Sequence, residues 1–266
     1  MPSVRSTRVT QDPPGLYSPL LPTVVVASYK GGAGKTALAV PIAERLAFAG
    51  LRVLLMTCDT QEDARFRLGV TRADGAIATR NYGSGSVSVA GIRGEKVIDV
   101  LYRKGPERMG LGAYDFAVLD TPPEVQGGSL PGVLLVATVD GADAARNIVT
   151  MLQRTPSNSD IVMVRLGRED AADWQHNVGV MEQILGRSLD CFPEPLLKTR
   201  RIKQAHDSGE SVWTLPRTGR STLNFLSAVE TFAKMAWERA RPQRPWPAPP
   251  AASSRAPYVS GWDDDE

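Results

Sequence analysis

Apolar residues along this chain come in two alternating rhythms. Short stretches that are apolar almost throughout recur at 22–28, 51–58, 113–120, 133–139 and 161–166. Such runs predict strands buried on both faces, as in a parallel sheet. Between them lie segments with helical spacing. One spans 34–49 and is closed by Gly50 at a C-cap-like position; a second spans 143–154. A third spans 223–239, with Leu223, Leu226, Val229, Ala233 and Ala236 on one stripe. Pro41 inside the first helix removes a backbone donor and predicts a kink. Strands alternating with helices predict an α/β domain: a doubly wound, mostly parallel sheet flanked by helices.

The pattern weakens between 62 and 95. A short helix is expected to end at Arg65–Leu68, and Gly83–Ser86 has loop chemistry. Residues 86–92 suggest an edge strand and 97–102 another short strand. A brief apolar run at 189–192 leads into Pro193-Glu194-Pro195. Three regions follow: a flexible arm over 1–20, a domain over 21–240, and a proline-rich, acidic, extended or disordered tail over 241–266. The tail carries Pro242, Pro245, Pro247, Pro249 and Pro250 and ends Asp263-Asp264-Asp265-Glu266.

Composition narrows the function classes only a little. With 266 residues, 42% of them hydrophobic, the chain can bury one sizeable core. A formal charge of +2 does not mark a polyanion binder, so any such role must rest on local clustering. Cys58 and Cys191 are far apart and lack metal-ligand spacing, which suits two buried thiols in a reducing cytosol. No apolar run has the length of a membrane span, and the N-terminus lacks the plan of a signal peptide, so a cytoplasmic protein is expected.

The chemistry concentrates at Ser28-Tyr29-Lys30-Gly31-Gly32-Ala33-Gly34-Lys35-Thr36, between the first strand and the first helix. Strand, glycine-rich turn and helix N-terminus form a phosphate cradle, because the glycines let successive N–H groups point inward and the helix aims its positive end there. Lys35 would reach the β- and γ-phosphates, and the Thr36 hydroxyl would hold Mg²⁺. The second strand ends at Asp59-Thr60-Gln61. The third strong run, Ala113 to Leu119, delivers Asp120 to the sheet's carboxyl edge, followed by Thr121-Pro122-Pro123. A carboxylate delivered there suits Mg²⁺, which keeps much of its water.

Lys-Gly-Gly-x-Gly-Lys-Thr, with its extra lysine at position 30, resembles the deviant phosphate-binding loop of the ParA/MinD family of ATPases. The resemblance covers about residues 22–240 and is closest to compact ParA-type partition ATPases. It implies ATP and Mg²⁺ as ligands, with Gly31, Gly32, Ala33, Gly34, Lys35, Thr36 and Ala37 around the phosphates. Thr36 and Asp120 would serve the metal. It implies catalytic roles for Lys30, Lys35 and Asp59, with Asp59 positioning the attacking water and Lys30 reaching into a partner subunit's site. Capping of the next helix is the plainer role for Asp59. Thr60 departs from the family's proline.

The resemblance further implies base contacts after the later strands, at Arg165, for which a surface salt bridge is an equal reading, and at Pro193. The spacing of Ile202, Ala205, Gly209 and Val212 matches a family segment, and Lys198, Arg200, Arg201, Lys203, Arg217 and Arg220 cluster around it. Basic clusters are commonly solvated faces, but in ParA-type relatives this region binds DNA non-specifically. The implied protein is a nucleoid-associated ATPase that forms an ATP-sandwich homodimer, binds DNA and hydrolyses ATP when stimulated by a ParB-like centromere-binding partner, serving plasmid or chromosome partition. The second reading is an ATPase of the same kind that positions a protein cargo, such as a carboxysome or a chemoreceptor array. A membrane helix of the MinD kind does not suit the acidic, proline-rich end, an iron–sulfur relative lacks its cysteines, and a tyrosine kinase would need more than Tyr258 in the tail.

Overall fold

The computed structural model describes residues 19–28, 34–58, 63–70, 77–92, 95–121, 132–139, 142–153, 160–167, 171–197 and 199–251. Eight strands form one sheet: β1 Thr23–Ala27, β2 Arg52–Thr57, β3 Ala78–Tyr82, β4 Gly85–Gly91, β5 Phe116–Asp120, β6 Leu134–Val139, β7 Asp160–Arg165 and β8 Asp190–Cys191. Their order is β3-β4-β2-β5-β1-β6-β7-β8. All neighbours run parallel except β3 and β4, which form an antiparallel hairpin. Helices α1 Lys35–Phe48, α2 Asp63–Arg67, α6 Arg200–Ser208 and α7 Arg220–Ala240 contribute to one face. The other face is covered by α3 Glu95–Ile98, α4 Ala142–Leu152 and α5 Ala171–Leu185.

The strands that read as unbroken apolar runs are those buried on both faces: β1, β5 and β6 are buried at every position. Alternate side chains enter the two halves of the core. Val24 and Val26 pack towards α1 and α7, whereas Val25 and Ala27 pack towards α4 and α5. Central β1 is flanked by β5 and β6; β2, β3 and β4 lie beyond β5, and β7 and β8 lie beyond β6. That arrangement opens a crevice at the carboxyl ends of the strands, where α/β sheets of this type bind ligands.

Three expectations change. Residues 85–91 are not an edge strand, because β4 lies between β2 and β3; the edge is β3. Residues 97–102 are helical. Chain from α3 continues into a π-helical turn over Asp99–Arg103, burying Val97, Val100 and Leu101 at helical spacing. Helix α1 runs through Pro41 without interruption, and the Pro41 carbonyl accepts a buried hydrogen bond from Trp213 Nε1 at 2.9 Å.

The tail makes a turn at 242–244 and has no helix or strand over 245–251, but it packs against the domain. Trp246 Nε1 donates to Glu230 Oε1 at 2.6 Å, and Trp237 Nε1 donates to the Arg244 carbonyl at 2.9 Å. The guanidinium of Arg45, fully buried on α1, donates to Glu230 and to the Pro247 carbonyl and lies 4.1 Å from the Trp246 ring centroid. Among the described residues no helix is long and apolar enough to cross a membrane. The arm over 1–18 and the tail beyond 251 lie outside the described residues.

Candidate nucleotide-binding site

Parallel register brings the chemistry to one point. Asp120 ends β5 opposite Val26 of β1 and Thr57 of β2, so its carboxylate sits beside the chain leaving β1. The Cys58 N–H donates to the Asp120 carbonyl at 3.0 Å, tying the end of β2 to the end of β5. Across the crevice, Gly34 occupies the N-cap of α1 with φ +67° and no side-chain cap. A side chain there would be strained by that backbone angle alone. A glycine at the N-cap brings no side-chain acceptor of its own to the first N–H groups of α1, which suits an anion-binding turn.

Thr36 Oγ1 donates to Asp120 Oδ2 at 2.6 Å. Asp120 and Lys35 are both buried, at 3% and 8% exposure. A hydroxyl oxygen and one carboxylate are hard oxygen donors of the kind Mg²⁺ takes when substrate phosphates and water complete its shell. Among the described residues no group of three or more His, Cys, Asp or Glu could hold a metal ion. The residues present therefore fit Mg²⁺ and a triphosphate, with Thr36 and Asp120 at the metal and Gly34 and Lys35 at the phosphates.

These groups open into a cavity of about 390 Å³, within the usual range for small-ligand sites. Leu166, Leu196, Leu197, Ile202 and Phe225 line an apolar part of it; Asp63, Arg67, Lys203, His206 and Asp207 line a charged part. Arg67 on α2 donates to His206 Nδ1 on α6 at 2.6 Å, so the imidazole is neutral at that nitrogen. Burial first, then the Arg67 charge, pushes His206 down to about 4. The pair joins the helix that follows residues 59–62 to the helix that carries the basic cluster.

The placement of the expected site residues is uneven. Gly34, Lys35, Thr36, Ala37 and Asp120 converge on the cavity. Lys30, Gly31, Gly32, Ala33, Asp59 and Lys198 lie outside the described residues. Arg165 does not line the cavity: it is buried with its guanidinium 5.9 Å from the Trp174 ring, on the α5 side of the sheet. The next residue, Leu166, faces the cavity instead, since consecutive strand side chains point to opposite faces. Pro193 is exposed and also absent from the lining; Leu196 and Leu197 supply that wall.

The basic residues gather on α6, the loop after it and the start of α7. Arg200 is exposed, and Arg201 donates to the Thr218 carbonyl and hydroxyl. Lys203 lines the cavity mouth and pairs with Asp207 at 3.2 Å. Arg217 donates to the Pro250 carbonyl at 2.6 Å, and Arg220 lies 3.9 Å from Glu194. The thiols of Cys58 and Cys191 are free and half-buried, and burial pushes them up to about 12 and about 11, so both stay protonated.

The eight-stranded sheet with its flanking helices has the P-loop NTPase fold. A family model described as an AAA domain matches residues 22–103, from β1 through the π-helical turn. Among solved structures, MinD of Pyrococcus horikoshii in complex with Mg-ADP is 17% identical, with TM-score 0.56, covering 84% of this chain and 100% of that one. A McdA variant of Cyanothece in complex with ATP is 17% identical, with TM-score 0.53, covering 82% and 96%. A ParA family ATPase of Chlorobium tepidum is 14% identical, with TM-score 0.50, covering 78% and 98%. No curated protein matches the sequence. The chain has the P-loop NTPase fold of these proteins, and both comparisons agree with the ParA/MinD resemblance carried by its loop.

Proposed function

We propose that this chain is a ParA-type ATPase that binds ATP·Mg²⁺ in the cavity beneath α1 and hydrolyses it to ADP and phosphate. The observation that carries the reading is the Thr36–Asp120 contact of 2.6 Å at the mouth of the Gly34–Lys35 turn. Bound Mg²⁺ would neutralise phosphate charge. Thr36 and Asp120 would hold it, Lys35 would hold the β- and γ-phosphates, and Asp59 would orient water. Lys30 would extend across an ATP-bound homodimer to the partner's phosphates, offsetting charge in the transition state as an arginine finger does. The dimer would place the basic residues of α6 and α7 on DNA through phosphate contacts alone. A ParB-like centromere-binding protein would stimulate turnover and release the dimer.

The test uses the full chain with ATP, Mg²⁺ and duplex DNA. Expected are Mg²⁺-dependent phosphate release, ATP-dependent dimerisation by light scattering, and DNA binding that strengthens with ATP and weakens with salt. Lys30→Ala should keep nucleotide binding and lose stimulated turnover. A chain that stays monomeric with ATP, or binds DNA equally well without nucleotide, would overturn the partition reading.

A further inference from the structure

The nucleotide cavity holds a cation that the expected site does not use. Arg67, the last residue of α2, lines it together with Lys35, Thr36 and Asp120. It is half-buried, and among the described residues its guanidinium makes one hydrogen bond, from Nη1 to His206 Nδ1 at 2.6 Å. That partner is neutral, since burial and then the Arg67 charge hold it down to about 4, so it orients the fork without offsetting its charge. No described carboxylate takes that place. Asp63 precedes Arg67 by one turn of α2, at the spacing where helix ion pairs form, and lines the same cavity, yet the guanidinium bonds the imidazole instead. Asp207 is engaged by Lys203 at 3.2 Å. A partly desolvated cation without a counter-ion is costly unless an anion completes it.

The helices that bring the two side chains together are clamped just beyond them. Arg80 on β3 donates from one nitrogen to the carbonyls of Leu68 at 2.8 Å and Gly209 at 2.7 Å, tying the end of α2 to the end of α6. Gly69 and Gly209 meet there with no room for a side chain. We infer that Arg67 donates to the phosphate chain of the nucleotide bound in its own subunit. A planar guanidinium matches two phosphate oxygens at once, and one already held in place costs little to reorganise when the anion arrives. This charge is available to a single subunit, unlike that of Lys30, which the proposed function sends across a dimer. The inference rests on the nucleotide-binding part of that function and is independent of dimerisation and of DNA.

Two ligands, each with Mg²⁺, separate this contact from the reading it rests on: a non-hydrolysable ATP analogue and inorganic tripolyphosphate. Their binding is measured by calorimetry on the full chain and on Arg67→Gln, whose amide can still donate to His206. Arg67→Gln should weaken both ligands about 30-fold, the scale of hydrogen bonds to a charged group, and Arg67→Lys should recover part of the loss. In the parent, the Arg67 Nε–H NMR signal should shift when either ligand is added. Equal affinity of Arg67→Gln and the parent for the analogue overturns the inference and leaves the ATPase reading standing. A weaker variant beside an unmoved Arg67 signal in the parent also overturns it, since the loss is then structural. If tripolyphosphate binds and shifts the signal but the analogue does not bind, the Arg67 contact stands and the ATPase reading falls. If neither ligand binds the parent, both fall.

Discussion

Thr36 and Asp120 are 84 positions apart in sequence, yet their side-chain oxygens meet at 2.6 Å. One opens α1 and the other closes β5, and only the pairing of β1 with β5 brings the two ends together. Asp120→Asn keeps the shape and removes the charge that a divalent cation needs. Mg²⁺-dependent turnover should fall at least about 100-fold, the scale of losing one electrostatic element of a site. The melting temperature should stay within a few degrees, because an amide still accepts the Thr36 proton. Near-normal turnover with full Mg²⁺ dependence would remove Asp120 from the metal.

Gly69 and Gly209 pack backbone to backbone where α2 ends against the end of α6. A Cβ on Gly209 would lie 2.5 Å from Gly69 Cα, and one on Gly69 would lie 2.6 Å from the Gly209 carbonyl oxygen. Both residues have positive φ, at +61° and +67°. Gly209→Ala should therefore cost about 3 kcal/mol in urea unfolding, combining left-handed strain with overlap. It should also weaken nucleotide binding, since it displaces the helix that carries Arg67 and Asp63 into the cavity. An alanine chain as stable as the parent would show that the two turns separate freely.

That contact explains part of what the sequence made legible. Ile202, Ala205 and Val212 of the spaced segment are buried, and Gly209 is the residue the neighbouring backbone permits. The strands buried on both faces were visible because nothing polar interrupts them. Strand β3, Ala-Thr-Arg-Asn-Tyr, was hidden because only Ala78 and Tyr82 are buried in it. Helix α5 buries only Trp174 and Met181 among its described side chains, too faint a stripe to stand out. The β-branched residues of 97–102 suggested a strand, but Val97, Val100 and Leu101 recur at helical spacing, and burial decided the matter. At the end of β7, alternation puts Leu166 on the cavity side and leaves Arg165 buried near Trp174. The docking of 241–251 had no periodic signal, since it depends on one arginine, one carboxylate and two tryptophans from distant segments.

Two buried titratable groups give stability opposing pH slopes. Glu44 on α1 accepts from Tyr82 OH at 2.7 Å, and burial raises its carboxyl to about 7 against an ordinary 4.5. Its favourable contribution is complete below pH 4.5 and is lost as pH rises through 7. His206, lowered to about 4 from 6.5, works the other way: its contribution is present above pH 6.5 and is lost as pH falls through 4. Each shift corresponds to about 3 kcal/mol. Glu44→Gln should therefore gain stability relative to the parent, by about that amount, as pH goes from 4.5 to 8. His206→Gln should gain relative to the parent as pH goes from 7 to 4. Chemical denaturation across pH 4 to 8 measures both, and parallel curves for Glu44→Gln and the parent would show that Glu44 ionises normally.

Arg45 is a fully buried cation whose partners come largely from the far end of the described chain. Glu230 supplies the opposing charge, the Trp246 ring lies 4.1 Å from the guanidinium carbon, and the Pro247 carbonyl accepts from it at 2.6 Å. Trp246 also meets Trp237 edge-on, with centroids 5.4 Å apart. The prolines of this strap restrict the unfolded chain, so ordering it costs less entropy than ordering a flexible segment. Trp246→Ala should cost about 3 kcal/mol, from lost aromatic burial and the cation's lost cover. Truncation after Ala240 should cost at least as much, because Arg45 then loses the Pro247 carbonyl too and is left only partly compensated. Urea midpoints of these two chains and the parent give the comparison. If the chain ending at Ala240 unfolds with the parent, the strap does not hold α1 to α7, and the cover over Arg45 is dispensable.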